Sequence, residues 1–368
     1  MSATTPLRRA LAALATLALL LLAGCGYGSR AADRGTAQAV GRAPLTDGLD
    51  CVRIGYFANV THATALVAHR KGFLQKELGG TRARYAVFNA GPSEIEALNA
   101  GSIDIGWIGP SPAINGYAKS GGTSLRIIGG SASGGVRLVV DPKKIRTLAD
   151  VEGRRIATPQ LGNTQDVAFL HWATAQGWSI DPMTGKGDVT VVRSDNKVTP
   201  DAFRAGTVDG AWVPEPTASK LVAEGGKVLL DEASLWPGGR FTTTHIIVSQ
   251  TFLKKHPKAV EAVLRASVAT NRWIKAHPEQ AKAAANEQIA RDAGKALPAE
   301  VMDPAWASLE VTDDPLAATL AAQADHAVRA GLLQRPDLRG IYDLTLLNKV
   351  LTAEGGSPVD DAGLGVRR

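Results

Sequence analysis

Cysteine is scarce: the 368-residue chain has two, Cys25 and Cys51, too few for a disulfide framework or a cysteine zinc site. Runs of like charge are missing too. Lys+Arg 41 against Asp+Glu 35 leave +6 with no block of five, so no segment can serve as a basic nucleic-acid arm. Catalytic motifs are absent: there is no GxSxG elbow, no HExxH, no GxxxxGK[ST] and no GxGxxG. The seven histidines are scattered, and His62 and His69 would stand about 10.5 Å apart along a helix, too far to share a metal. Carboxylate pairs such as Asp231-Glu232 fall in polar turns, where solvated surface or a helix cap outweighs acid/base work. An enzyme, a metal or a resident cofactor is therefore not expected. What remains is an ordinary globular composition, 45% hydrophobic and 21% charged, with length for two domains.

The one long apolar run, residues 10–23, follows Arg8-Arg9 and is too short to span a bilayer. Charge, then apolar core, then Leu22-Ala23-Gly24-Cys25 is the layout of a secretory signal ending in a bacterial lipobox, with Cys25 the lipidated residue. Residues 1–24 are thus expected to be a signal peptide and 25–50, rich in Gly, Ala, Ser, Thr and Arg, a flexible tether. Cys51 would then be an unpaired thiol.

From residue 51 short apolar runs alternate with amphipathic stretches: strands are expected at 52–57, 83–88, 103–108 and 124–129, with helices at 63–74, 93–99 and 112–119 between them. The pattern restarts after Pro142, and such alternation implies βαβ units and a parallel sheet. AGSIDIGWIGPSPA (100–113) and AGTVDGAWVPEPTA (205–218) align without a gap at an offset of 105, so two related half-folds lie end to end. After a strand at 242–250 the chain reads as almost wholly helical, notably at 257–276, 278–293 and 315–330. The expected division is 51–140 for the first part of lobe 1, 141–240 for lobe 2, and 241–368 for the return to lobe 1 and its helical tail. Two crossings between lobes imply a hinge with a cleft above it.

The wording of several segments is more specific. IGYFANVTHATALVAHRKGFLQKELG (54–79), FNAGPSEIEALNAGSIDIGWIGPSPAI (88–114), SGG (133–135), TPQLGNTQD (158–166) and GAWVPEP (210–216) resemble the ABC-importer binding proteins for aliphatic sulfonates, taurine and nitrate, most of all the aliphatic-sulfonate branch. The resemblance covers roughly residues 51–250. It implies a two-lobed type II periplasmic-binding-protein fold of the α/β class with a helical C-terminal extension, closing on one small anion. It also implies a membrane permease and a separate ATPase as partners; the lipobox, for its part, leads to the expectation of a lipid-anchored monomer on the outer face of the cytoplasmic membrane. Carried onto this chain, the ligand loops are Asn59, Thr61 and His62; Gly109, Pro110 and Ser111; Ser131, Ser133, Gly134 and Gly135; Gly162, Asn163, Thr164 and Gln165; and Trp212 to Glu215, with Trp212 and Glu215 the chief candidates.

Three of those loops lead into expected helices, whose free N–H groups and dipole suit a sulfonate without a lysine. Asn59, Thr61, Ser111 and Asn163 also suit plain helix caps. Trp107 reads as core and Trp212 as an apolar wall for an alkyl chain. Glu215 repels an anion, so it must meet either a ligand ammonium, as in taurine, or a lobe-1 donor on closure, such as His62 or Arg137. Taurine, nitrate and a thiamine precursor are the alternative ligands; the last would need stacking aromatics, for which Tyr56, Trp107 and Trp212 are the candidates.

Overall fold

The computed structural model describes residues 48–367. The expected signal peptide, Cys25 and nearly all of the tether lie outside those residues. Among the described residues no helix is long and apolar enough to cross a membrane.

The apolar runs become strands where expected: β1 Cys51–Phe57, β2 Arg82–Phe88, β3 Ile105–Ile108 and β4 Leu125–Gly134 in the first half. β3 is buried at every position, as suits a parallel strand covered on both faces. The helix expected over 63–74 is two, Ala63–Lys71 and Phe73–Leu78, because Gly72 takes a left-handed conformation (φ 76°) that ends the first. The second half supplies β5 Val136–Val140, β6 Arg155–Thr158, β7 Thr190–Arg193, β8 Gly210–Pro214 and β9 Lys227–Asp231. β10 Thr242–Ser249 and the short β11 Leu309–Val311 complete the set.

These strands form two sheets, ordered β11-β4-β10-β3-β1-β2 and β7-β6-β8-β5-β9. β1 is parallel to β2 and β3, while β10 runs antiparallel between β3 and β4. Likewise β6 is parallel to β7 and β8, while β5 runs antiparallel between β8 and β9. The second order therefore reproduces β2-β1-β3-β10-β4, and β3 and β8, the two copies of the internal repeat, hold the same place in their sheets. The expected boundary at 140/141 needs correction. VRLVV (136–140) is a strand of the second sheet, so the chain passes between lobes at Gly134-Gly135, both with positive φ (81° and 71°).

The duplication extends to side chains. In lobe 1 the Asp104 carboxylate accepts from the backbone N–H and Nε of Arg53 (2.8 and 2.9 Å), and Asp104 N–H donates to the Arg53 carbonyl (2.8 Å). In lobe 2 Asp209 accepts the same pair from Arg155 (3.0 and 3.1 Å), and its N–H donates to the Arg155 carbonyl (2.7 Å). Each clamp joins its lobe's central parallel strand to the one carrying the repeat. One apolar core fills lobe 1, and two smaller ones lie in lobe 2. Helix Pro257–Ala276 packs on the lobe-1 helices Ala63–Lys71 and Phe73–Leu78. The tail also reaches lobe 2: Ala299–Ala307 packs on helix Thr217–Ala223, and Ala317–Arg329 on helix Thr164–Ala175.

Glu94 lies on helix Gly91–Asn99, fully buried, with both carboxylate oxygens unpartnered. A Cβ at Gly55 or Gly106 would come within 2.5 or 2.3 Å of its Oε1, so two glycines of β1 and β3 make the notch that admits it. Burial without a partner pushes this carboxyl well above the usual range. The folded state thus holds the proton more tightly than the unfolded one. Stability from this group is full below the unfolded value and falls as pH rises toward the folded one. Glu94→Gln should raise the melting temperature by a few degrees at pH 8, with the gap closing toward pH 5, in thermal melts across that range. A variant less stable than wild type at every pH would contradict a protonated Glu94.

Candidate functional site

Where the two lobes face each other, a cavity of about 20 Å³ remains. That is little more than the ~10–15 Å³ one water needs, so the cleft is closed. Lobe 1 contributes Phe57, Asn59, Thr61, His62, Gly109, Thr243 and Thr244; lobe 2 contributes Asn163, Thr164, Gln165, Asn196 and Pro214. Seven of these were expected from the sequence: Asn59, Thr61, His62, Gly109, Asn163, Thr164 and Gln165.

Local chain geometry explains their placement. Beyond β1 the chain makes a 3₁₀ turn, Val60–His62, directly into helix Ala63–Lys71; beyond β3 it enters helix Pro110–Lys119; beyond β6 it enters Thr164–Ala175. The polar residues at these starts are not local caps: neither Asn59 nor Asn163 makes a side-chain cap bond. Asn163 instead reaches across the cleft, its Oδ1 accepting from Gly91 N–H (3.2 Å), while Thr164 Oγ1 accepts from Ser111 N–H (3.4 Å). Lobe 2 thus places two neutral acceptors on the amino ends of two lobe-1 helices, where the N–H groups have no intrahelical partner. Gly109 lets this happen. A Cβ there would sit 2.4 Å from Thr164 Oγ1.

No lining residue carries a formal charge at neutral pH. His62 Nδ1 accepts from Phe57 N–H (3.2 Å), its ring lies 4.4 Å from the Phe57 ring, and burial lowers its pKa to about 3. Thr244 Oγ1 is buried without a partner, a hydroxyl free to meet a ligand. The residues of TPQLGNTQD are held by Asp166, which accepts from Thr158 Oγ1 (2.7 Å), Gly162 N–H (3.0 Å) and Arg193 Nε (3.0 Å).

Other expected residues sit elsewhere. Pro110 begins its helix beside the cavity, and Ser111 enters only through its N–H. The 131–135 segment is hinge rather than lining. Ser133 Oγ accepts from Phe241 N–H (3.1 Å), the Gly134 carbonyl from Thr243 Oγ1 (2.7 Å), and the Gly135 carbonyl from Glu215 N–H (2.9 Å). Ser131 Oγ is buried without a partner. Gly162 supplies a positive φ (75°) to its loop. Trp212 is not a cleft wall. It is fully buried in the lobe-2 core against Phe169 and Trp172, its Nε1 donating to Glu232 (2.8 Å). Glu215 also turns away: Arg137 Nη1, Ser219 Oγ and Ser219 N–H all donate to its carboxylate at 3.0 Å. Arg137 was an expected donor, yet it belongs to the lobe-2 sheet; His62 plays no part.

Sequence reasoning missed Phe57, Asn196, Thr243 and Thr244, and carried Pro214 only within the loop from Trp212 to Glu215. The TTTH run was read only as a strand. Because β10 is antiparallel to β3 and β4, its amino end lies beside their carboxyl ends, with Thr244 opposite Ala132 and His245 opposite Ile108.

A family model described as the NMT1-like family matches residues 48–290. The taurine-binding periplasmic protein of Escherichia coli (strain K12) is 28% identical over 215 residues, 58% of this chain, which spans 64% of that relative's length. A putative aliphatic sulfonates-binding protein of Bacillus subtilis (strain 168) is 25% identical over 341 residues, covering 90% of this chain and 94% of its own. Among solved structures, the alkanesulfonate-binding protein SsuA from Xanthomonas axonopodis pv. citri, bound to MOPS, superposes with a TM-score of 0.63 at 26% identity, covering 78% of this chain and 96% of its own. The two-lobed periplasmic-binding-protein fold expected from the sequence is the fold observed.

The contact at Gly109 gives a test. Gly109→Ala should leave the ligand-free melting temperature within about a degree, since its φ of −73° suits alanine. It should weaken ligand binding roughly tenfold or more by holding the lobes apart. Unchanged affinity in calorimetry would show that lobe 2 does not close on this loop when ligand is bound.

Proposed function

The chain belongs to the NMT1-like family, and from that premise we propose that it is the extracytoplasmic solute receptor of an ABC importer, taking a small organosulfonate between its lobes. The permease and its ATPase are the partners of this reading, and Cys25 is its lipid anchor to the outer face of the membrane. The observation that carries it is the chemistry of the cleft: helix amino ends, amides and hydroxyls, with no charged side chain lining the cavity. A sulfonate spreads one charge over three oxygens, so neutral donors can satisfy it. The names of the two relatives and of the solved structure agree with that chemistry.

The closed cleft also ranks the ligands. A taurine ammonium would need a carboxylate, and Glu215 is already held by Arg137 and Ser219. A thiamine precursor would need stacking rings, and Tyr56, Trp107 and Trp212 are all fully buried in cores. A plain short-chain alkanesulfonate fits best. Nitrate is the second reading, favoured by the small cavity and by the removal of Trp212 as an alkyl wall.

Calorimetry and thermal shift with ethanesulfonate, taurine, nitrate and sulfate test this. Ethanesulfonate should bind and raise the melting temperature with concentration. Sulfate, with a second charge, should fail. Tight nitrate binding without any sulfonate response would move the protein to the second reading. Glu215→Gln should weaken ethanesulfonate and taurine alike, by loosening the Arg137–Glu215 contact beside the hinge and leaving Arg137 paired with Asp231 alone. A wild type that strongly prefers taurine, with the preference lost in the variant, would put Glu215 in the ligand site. Cys25→Ala should shift the protein from the membrane fraction to the soluble one; a variant that stays membrane-bound would remove the anchor from the proposal.

A further inference from the structure

One contact between the lobes lies apart from the cleft. His171, on lobe-2 helix Thr164–Ala175, stacks its ring on that of His326, on helix Ala317–Arg329, with centroids 3.8 Å apart and planes within 9°. The helix of His326 is tied to the first sheet along its amino half, while Ala330, just past its carboxyl end, packs in a lobe-2 core. Gln323 Nε2 donates to the Thr242 carbonyl (2.9 Å), Thr242 Oγ1 to the Pro315 carbonyl (2.5 Å), and Ala317, Leu320 and Ala324 lie in the lobe-1 core. His171 moves with the other lobe, on the helix whose first turn carries Thr164 and Gln165 into the cleft. The stack therefore bridges bodies that must separate for ligand to enter or leave.

We propose that the His171–His326 stack is a proton-sensitive latch on lobe closure, so that acidification opens the cleft and releases the ligand. The proposal rests on the reading of the protein as a receptor that closes on its ligand.

Two neutral imidazoles can stack at this distance; two imidazolium ions repel. Burial, His171 and Arg329 together lower His326 to about 4, and burial with Arg329 lowers His171 as well. The other groups facing the pair are few. Asp325, on the helix of His326, acts in the opposite sense and is paired with Arg335 (2.9 Å). Glu232, in the turn after β9, shares a cavity of about 260 Å³ with both rings; burial raises its pKa to about 7, so it takes up a proton over the same range, within its bonds from Trp212 and Trp236 Nε1. Trp236 lies 5.2 Å from the His326 ring. Glu232, Trp212 and Trp236 all belong to lobe 2, so opening leaves their mutual bonds intact. Opening exposes the imidazoles, and an exposed histidine titrates near 6.5. The sign follows: the closed state binds protons more weakly, so closure is full above about 6.5 and is lost as pH falls toward 4.

The test is energy transfer between one fluorophore on each lobe, from pH 7.5 to 5.0, without ligand and with whichever of ethanesulfonate, taurine or nitrate closes the protein. In wild type the ligand concentration for half closure should rise roughly tenfold or more over that range. His326→Phe and His171→Phe keep a stacking ring that cannot take a proton, and each should flatten the profile while leaving half closure at pH 7.5 within about threefold. Glu232→Gln should keep the wild-type profile. A flat wild-type response, or an unchanged response in both phenylalanine variants, overturns the latch. Should a phenylalanine variant fail to fold, His326→Gln reads the same profile. If no anion closes the protein, the functional reading fails, while the ligand-free closed fraction against pH still tests the latch.

Discussion

Each lobe's sheet is completed by a strand that the chain lays down just after leaving the other lobe. β5 enters between β8 and β9, and β10 between β3 and β4. An antiparallel strand in that slot supplies hydrogen bonds that the neighbouring parallel strands would otherwise leave open. Both crossings are thereby anchored at their far ends by full ladders. They are also tied to each other, through Phe241 N–H on Ser133 and Thr243 on the Gly134 carbonyl. Two short crossings thus join the lobes without interrupting either sheet, and the tail helices Ala299–Ala307 and Ala317–Arg329 add contacts to lobe 2. Everything at the cleft depends on this. The same inserted strand that closes the first sheet brings Thr243 and Thr244 to the edge where the helices begin.

Duplication explained most of what could be read from the sequence. The offset of 105 residues put β3 and β8 in equivalent places, and the Arg53–Asp104 and Arg155–Asp209 clamps show that the equivalence reaches individual side chains. The cleft-lining loops at the carboxyl ends of parallel strands were legible because each leads into a helix that starts with small polar residues. VRLVV (136–140) was not. Its apolar run follows β4 after a two-glycine reversal, and nothing in local sequence says that the next strand joins a different sheet. Thr243 and Thr244 were hidden for a related reason: the rule that sites form at strand carboxyl ends assigns the opposite end of an antiparallel strand. Trp212 was misread against the repeat's own logic, because its counterpart Trp107 had been taken as core, and equivalent positions share a fate.

Glu215 shows why a single buried charge is ambiguous in sequence and definite in structure. A carboxylate beside a predicted anion site demands a partner, and the choice between ligand and protein depends on distances no motif encodes. Here Arg137 comes from the strand paired directly with β8, and Ser219 from the first turn of the following helix. Three donors leave the carboxylate little capacity for a ligand, so its charge is spent within lobe 2.

With that charge accounted for, the cleft can be weighed as an electrostatic whole. A helix amino end carries roughly half a positive charge, spread over N–H groups that must find acceptors. Helices Gly91–Asn99 and Pro110–Lys119 direct such groups at the lobe boundary, and the closed form satisfies one on each with Asn163 and Thr164. The starts of helices Ala63–Lys71 and Thr164–Ala175 add to that positive potential, so an anion placed there would meet it without a charged side chain in the pocket, while a cation would face only positive ends. Because the opposing lobe's own side chains occupy the same donors when the space is small, an incoming anion exchanges acceptors rather than creating them. In the proposed receptor, affinity would then be a modest difference between two well-bonded states.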